Sequence, residues 1–471
     1  MTTSTLATLT IGGESQPGDA GSYPVHNPAR PVEVVGFAPA ADRAQLDAAV
    51  TEARKAFRSW RALDVGERVA KVADAALTAG VQLKERDGAR LYTSEHGKVL
   101  SEAGFEIDTA PMVAAVLGSM AEAALAPEQI DPQSPYPRLH REPYGVAALV
   151  IPFNWPFSVM MMKLASALSA GNTVVVKLPP TVPLAALQFG AAFAAALPPG
   201  VVNVVSAPGI ELSQALVTHP GIDVISATGG VATGRAVMAA AATRLTPVLL
   251  ELGGNDAAII APDIAISDQL VESLVTATYT TGGQVCMAIK RLYAPQGRVD
   301  ELADDVTLGP LHTASGRDRV ASLVKDAAAQ GATVRTAGRI REEDADSDGY
   351  FVLPTVVTGV APQSALATEE QFGPVLPIFG YDDIDDAVAA ANATEFGLTA
   401  SVWTGDDALA DKVTGQLVAG TVSVNCHGMA AQDPRVPFGG VGQSGLGREL
   451  GADGIRAFTQ PRGYVRQPVP R

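Results

Sequence analysis

"GVAALVIPFNWPFSVMMMKLASALSAGNTVVVKLPP" (145–180) reads as strand, helix, strand. An apolar run closes on Pro152, a helical segment closes on Gly171, and a β-branched run ends at two prolines. The pattern continues downstream. "PLAALQFGAAFAAAL" (183–197), "IELSQALVTH" (210–219) and "ATGRAVMAAAA" (232–242) read as helices. "GVVNVVSAPG" (200–209), "DVISATGG" (223–230) and "PVLLELGG" (247–254) read as strands. None of the strand-like runs alternates polar with apolar residues, so both faces of each must be covered. Strands alternating with helices need crossover connections, which give a doubly wound parallel α/β sheet. Ligands of such sheets bind beyond the C-terminal strand ends. Asn154, Lys177, Gly229 and Glu251 follow the strands and therefore hold the functional information.

Around this core the chain is long enough, at 471 residues, for two or three domains. Residues 1 to about 125 read as mostly helical. Leu46, Val50, Ala53, Phe57 and Trp60 form one helix face, with Asp42 as its N-cap. After Gly254 a second α/β region starts at "DAAIIAPD" (256–263) and runs to about residue 440. "SPYPRLHREPYG" (134–145) and the proline-containing tail (455–471) read as exposed edge strands that pair with another subunit. The net charge of −16, with no basic tract, argues against nucleic acid or an anionic membrane as partner. Cys286 and Cys426 are too few and too far apart for a disulfide framework, so a cytoplasmic location is expected. No stretch qualifies as a signal peptide or membrane span, and the six histidines form no metal-binding spacing.

The residues that could carry chemistry each have a plain alternative. The glycine turn in "SATGGVATGR" (226–235) offers backbone N–H groups to a pyrophosphate, yet a structural turn fits equally. Its place on the fourth strand, not the first, is atypical for a dinucleotide fold. Lys177 is either a ligand for ribose or phosphate, or a solvated strand-end lysine. Glu251, at the end of a very apolar strand, is either a general base of raised pKa or a salt-bridged carboxylate. Asn154 is an oxyanion donor or a turn residue. Cys286, in "GGQVCMAIKR" (282–291), lacks a neighbouring histidine. It is an inert core thiol unless something else activates it.

Together these segments resemble one family. "IPFNWPF", "VVVKLPP", "TGGVATGR", "LELGGND", "GGQVCMAIKR", "EEQFGPVLP" and "PFGGVGQSGLGRELG" occur in the order and approximate spacing of the NAD(P)-dependent aldehyde dehydrogenase superfamily. The resemblance extends from "HNPARPVEVVG" (26–36) to the tail. It implies an aldehyde dehydrogenase-like α/β fold with a doubly wound parallel-sheet cofactor domain (1–124 and 144–253). An α/β catalytic domain (254–443) follows, and a small β extension (125–143 and 458–471) serves oligomerisation.

The resemblance also implies roles. Cys286 is the nucleophile that forms a thiohemiacetal and then a thioester. Glu251 activates the hydrolytic water, Asn154 supplies the oxyanion hole, and Lys163 and Glu449 relay protons. Ile151, Pro152, Lys177, Pro180, Gly229, Gly230, Leu252, Gly253, Glu370 and Phe372 hold NAD or NADP. Trp155, Val159, Met162, Val285 and Met287 line a substrate tunnel for an apolar or aromatic aldehyde. No metal is implied, and the implied assembly is a homodimer or homotetramer. Two departures concern the cofactor: the first leaves NAD against NADP open, and the second removes a hydroxyl near the pyrophosphate and so bears on affinity. Proline stands at position 180 where many members have a glutamate, and Gly229–Gly230–Val231 replaces a Gly–Ser–Thr turn. A third departure is a shortfall of about one helix, roughly 12–20 residues, after "CMAIKRLYAPQGRVDELADD". CoA-acylating chemistry at Cys286 and a cysteine hydrolase or esterase are the alternative activities.

Overall fold

The computed structural model of the protein describes residues 7–301, 308–345 and 347–467. The five apolar runs form strands Val146–Val150, Thr173–Lys177, Val202–Val205, Val224–Thr228 and Val248–Glu251, all mutually parallel. Across the sheet they lie in the order fifth, fourth, first, second, third. Leu9–Ile11 extends the sheet antiparallel beyond Val202–Val205, followed by Glu14–Gln16, and Gly445–Leu446 extends the other edge. The chain reverses winding direction between the first and fourth strands. This explains the glycine turn on the fourth strand: it is the spatial neighbour of the first strand's end, at the switch point where a crevice must open.

Burial on both faces follows the two-residue period of a strand. Ala147, Leu149, Val174 and Val176 pack under helices Val65–Glu85, Leu100–Leu125, Pro156–Ser169 and Leu184–Ala195. Val146, Ala148, Val175 and Ile225 pack under Arg43–Arg61, Glu211–Val217 and Val231–Ala242. The Arg43–Arg61 helix starts at Asp42, whose carboxylate accepts from the Gln45 N–H. Its expected inner face is buried except at Phe57, which stays half-buried with the Arg61 guanidinium 5.5 Å from its ring. The first forty residues differ from the helical expectation. They form strands Leu9–Ile11, Glu14–Gln16, Ser22–Asn27 and Arg30–Pro39. Gly12 and Gly13 both take positive φ to turn the first hairpin.

A second sheet follows residue 254. Its strand order is 333–336, 355–358, 375–381, 291–295, 257–260, 399–403, 421–424, parallel except at the first pair. The tail strand Thr459–Tyr464 pairs antiparallel with Arg138–Pro143 of the same chain, and Glu128–Gln129 pairs on the other side. The two segments expected to meet another subunit thus meet each other, and Thr459–Tyr464 forms the outer edge of this small sheet. The segment expected to be short falls on residues 302–307, outside the described residues.

One carboxylate ties the helical layer to the sheet. Glu106 is fully buried, pairs with Lys98 at 2.8 Å and accepts from the Tyr92 hydroxyl at 2.6 Å. Its other oxygen accepts from the N–H groups of Phe157 and Ser158 at 2.8 and 3.1 Å. Those groups open the helix that follows Asn154 and carries Lys163, so the carboxylate caps and orients it. Removing it leaves a buried ammonium and two helix donors unpaired. Glu106→Ala is expected to destabilise the fold by about 3–5 kcal/mol in urea unfolding. Asp108→Ala, which breaks the exposed Lys84–Asp108 pair, is expected to leave the midpoint nearly unchanged.

Candidate active site

A cleft of about 490 Å³ opens at the switch point. Its walls include all ten residues expected to hold the cofactor: Ile151, Pro152, Lys177, Pro180, Gly229, Gly230, Leu252, Gly253, Glu370 and Phe372. Asn154 and Cys286 line the same cleft. Thr181, Ile210, Ser213 and Thr233 line it too, although the sequence reading passed over them. Thr233 belongs to the quoted "SATGGVATGR" turn, whereas Thr181, Ile210 and Ser213 sit on loops and a helix start outside any motif, so only the fold brings those three in. The cleft suits an anionic dinucleotide. Helix Val231–Ala242 starts at Gly230 without a side-chain cap, so its first N–H groups remain available to an anion. A Cβ on Gly230 would meet nothing within 4 Å. Lys177 is 3% exposed, and burial holds its ammonium down to about 8.

Cys286 sits on an irregular loop after Thr280–Gly283, where Thr281, Gly282 and Gly283 all have positive φ. Gly283 has no room for a side chain, since a Cβ would lie 2.4 Å from the Gly373 carbonyl oxygen. Asn154 Nδ2 donates to the Gln284 carbonyl at 2.8 Å. Lys290, buried beside the thiol, donates to the Val285 carbonyl at 3.0 Å and to the Cys286 carbonyl. Burial pushes the Cys286 thiol up to about 12. Lys290 opposes this, while Glu370, Asp256 and Glu251 add to it. Glu370 accepts from the Gly254 N–H at 3.1 Å and lies 3.4 Å from Lys290 Nζ. Burial raises its pKa. The Phe372 ring stands edge-on to Phe153, centroids 6.0 Å apart.

Glu251 faces a second charged group set. Lys163 Nζ pairs with Glu449 and donates to Ser226 Oγ at 2.7 Å, and Ser226 Oγ donates to Glu449 at 3.1 Å. All of these groups are buried. Burial raises the Glu251 pKa well above the usual carboxylate range. Glu449 raises it further, and Lys163 and Arg448 pull it back. One Glu251 oxygen, Oε2, has no hydrogen-bond partner. Glu251 does not line the cleft itself, although Leu252 and Gly253 do. Ser226 was not anticipated, and an apolar strand gives no sign of it.

Trp155, Met162, Val285 and Met287 are buried in one apolar cluster, against which Val159 and Cys286 pack. Val285 also lines a separate hollow of about 250 Å³ with Trp403, Cys426, His427 and Met429. The other four expected tunnel residues line neither this hollow nor the cleft. His427 is tied down: its Nδ1 meets Ser401 Oγ at 2.8 Å, and burial lowers it to about 3. Among the described residues no group of three His, Cys, Asp or Glu side chains comes together to hold a metal ion. No helix there is long and apolar enough to cross a membrane.

The aldehyde dehydrogenase family model matches residues 16–463. The chain belongs to the aldehyde dehydrogenase family. As a member it oxidises an aldehyde to a carboxylic acid with NAD or NADP. It is 35% identical to geranial dehydrogenase of Castellaniella defragrans, over 91% of this chain and 92% of that one. It is 36% identical to the NADP(+)-linked succinate-semialdehyde dehydrogenase 1 of Mycobacterium bovis, over 92% and 97%. A betaine aldehyde dehydrogenase of Staphylococcus aureus, solved with NAD+, superimposes with a TM-score of 0.90 at 28% identity, over 99% and 98%. The dehydrogenase cleft makes a prediction about pH. Lys177 is charged below about pH 8 and loses its proton above it. Affinity for the anionic cofactor is therefore expected to fall as pH rises through 8, more steeply for NADP than for NAD. Titration of cofactor by intrinsic fluorescence checks this, and Lys177→Met is expected to flatten the profile.

Proposed function

We propose that Cys286 is the nucleophile of this oxidation. The observation that carries the reading is that Cys286, Asn154, Glu370 and the glycine turn share one cleft. The thiolate adds to the aldehyde carbon and forms a C–S bond, leaving a thiohemiacetal oxyanion. Asn154 has two amide hydrogens. One is spent on the Gln284 carbonyl, and the other serves the oxyanion. A bound NAD or NADP would supply the acceptor for the hydride that leaves the tetrahedral carbon, which would leave a thioester on Cys286. Lys177 and the helix start at Gly230 hold the cofactor's ribose and phosphates, and Glu370 and Phe372 hold its nicotinamide end. The thioester is then hydrolysed by water, which breaks the C–S bond and regenerates the thiol. Glu251 takes the proton of that water. Its raised pKa suits a base working near neutrality. Lys163, Ser226 and Glu449 pass the proton on through their hydrogen bonds.

The walls beside Cys286 favour an apolar or aromatic aldehyde. Trp155, Met162, Val285 and Met287 offer no cation for a second carboxylate, and Lys290 is committed to two carbonyls and Glu370. We infer a homodimer or homotetramer, in which the outer edge strand Thr459–Tyr464 and the segments 125–143 and 458–471 contribute to assembly. Two free cysteines favour the cytoplasm.

Cys286→Ala is expected to bind cofactor normally and to lose roughly 10⁴-fold or more in turnover. Retained turnover overturns the reading. Glu251→Gln separates hydrolysis from hydride transfer. A single-turnover burst of NAD(P)H is expected at a near-normal rate, followed by steady turnover slowed by on the order of 10²–10⁴. Added CoA relieving that slow step without acid formation would favour acyl transfer over hydrolysis.

A further inference from the structure

We infer that Lys290 is a positioning residue of this enzyme: its ammonium clamps the nucleophile loop to Glu370 and supplies the positive charge that makes Cys286 competent. The inference rests on the reading of Cys286 as nucleophile. Three consecutive carbonyls of the loop take side-chain hydrogen bonds. Gln284 receives Asn154, and Val285 and Cys286 both receive Lys290. With those carbonyls held, the peptide units on either side of the thiol cannot rotate freely. The third direction of the ammonium faces Glu370 at 3.4 Å. Lys290's own backbone is tied on both sides, its N–H to the Asp256 carbonyl at 2.9 Å and its carbonyl to Gln371 Nε2 at 3.0 Å. The residue is 3% exposed, so bulk water does not screen its charge.

Four charged side chains act on the thiol: Lys290 favours the thiolate, and Glu370, Asp256 and Glu251 oppose it. Lys290 in turn faces Glu370, Asp256 and the neutral His427. In many cysteine enzymes a histidinium provides the stabilising charge. Here His427, which faces Lys290, is held neutral by burial and spent on Ser401. Lys290 therefore takes that place without touching the thiol's substrate side. Glu370 partly cancels it, so neutralising Glu370 strengthens the field of Lys290 at Cys286.

The test measures Cys286 alkylation by iodoacetamide against pH, in the cofactor-free full-length enzyme, with the Cys286 peptide followed by mass spectrometry to set Cys426 aside. Lys290→Met is expected to raise the alkylation midpoint by about one pH unit or more, which slows the reaction about tenfold at a fixed pH below it. Glu370→Gln is expected to lower the midpoint. A packing role for Lys290 predicts no rise of the midpoint in Lys290→Met. An unchanged or lowered midpoint in Lys290→Met overturns the inference. If that variant does not fold, an unchanged or raised midpoint in Glu370→Gln does so. Alkylation needs no turnover, so these outcomes stand apart from the Cys286→Ala result that tests the nucleophile itself.

Discussion

Parallel strands can be joined only by crossovers, and crossovers bury both faces of the sheet they create. Everything polar in this enzyme is placed by that constraint. Along Val146–Val150 and Thr173–Lys177 there is room for little except Ala, Val and Leu until the strand ends. At those ends the chain releases Asn154, Lys177 and Gly229 into one crevice, with Glu251 at the end of the neighbouring strand. The order of the strands then makes neighbours of the first and fourth, so the phosphate-type turn and the Asn154 loop face the same space.

The second constraint is the cost of burying charge. An ion removed from water must be paired and hydrogen-bonded. The site meets this with lysine–glutamate pairs: Lys98 with Glu106, Lys163 with Glu449, and Lys290 with Glu370. Each pair also holds backbone or neighbouring hydroxyls in place. Glu106 caps the helix behind Asn154, Lys163 holds Ser226, and Lys290 holds the carbonyls around Cys286. The pairs thus fix geometry while adding little net charge.

The sheet and the cleft were legible in the sequence because apolar runs, prolines and glycines are local signals. All nine elements from Val146 to Glu251 occur where the pattern placed them. The ten residues expected to hold the cofactor line one cleft because they follow strand ends or belong to motifs. What escaped has a common cause. Lys290 stands in plain view in "GGQVCMAIKR", but a lysine two residues past an apolar pair reads as solvated until its burial is known. Ser226 lies inside an apolar strand, and Thr181, Ile210 and Ser213 reach the cleft only through the packing of separate segments. The early strands from Leu9 to Pro39 were missed because Leu9–Ile11 and Glu14–Gln16 are very short, Arg30–Pro39 is mostly not buried, and Pro24, Pro28 and Pro31 break the runs.

The absence of a histidine beside Cys286 then has a physical reading. With Lys163–Glu449 and Lys290–Glu370 closed as pairs, neither Cys286 nor Glu251 has a hydrogen-bonded cation. Burial raises both. Cys286 and Glu251 feel each other's charge, and Lys163, Ser226 and Glu449 form a buried hydrogen-bonded set that acts on Glu251. A histidine at Cys286 would hold its proton in the cleft itself. Distributing the task between a distant carboxyl and fixed lysines leaves the space next to the sulfur open to the reacting carbon and the cofactor.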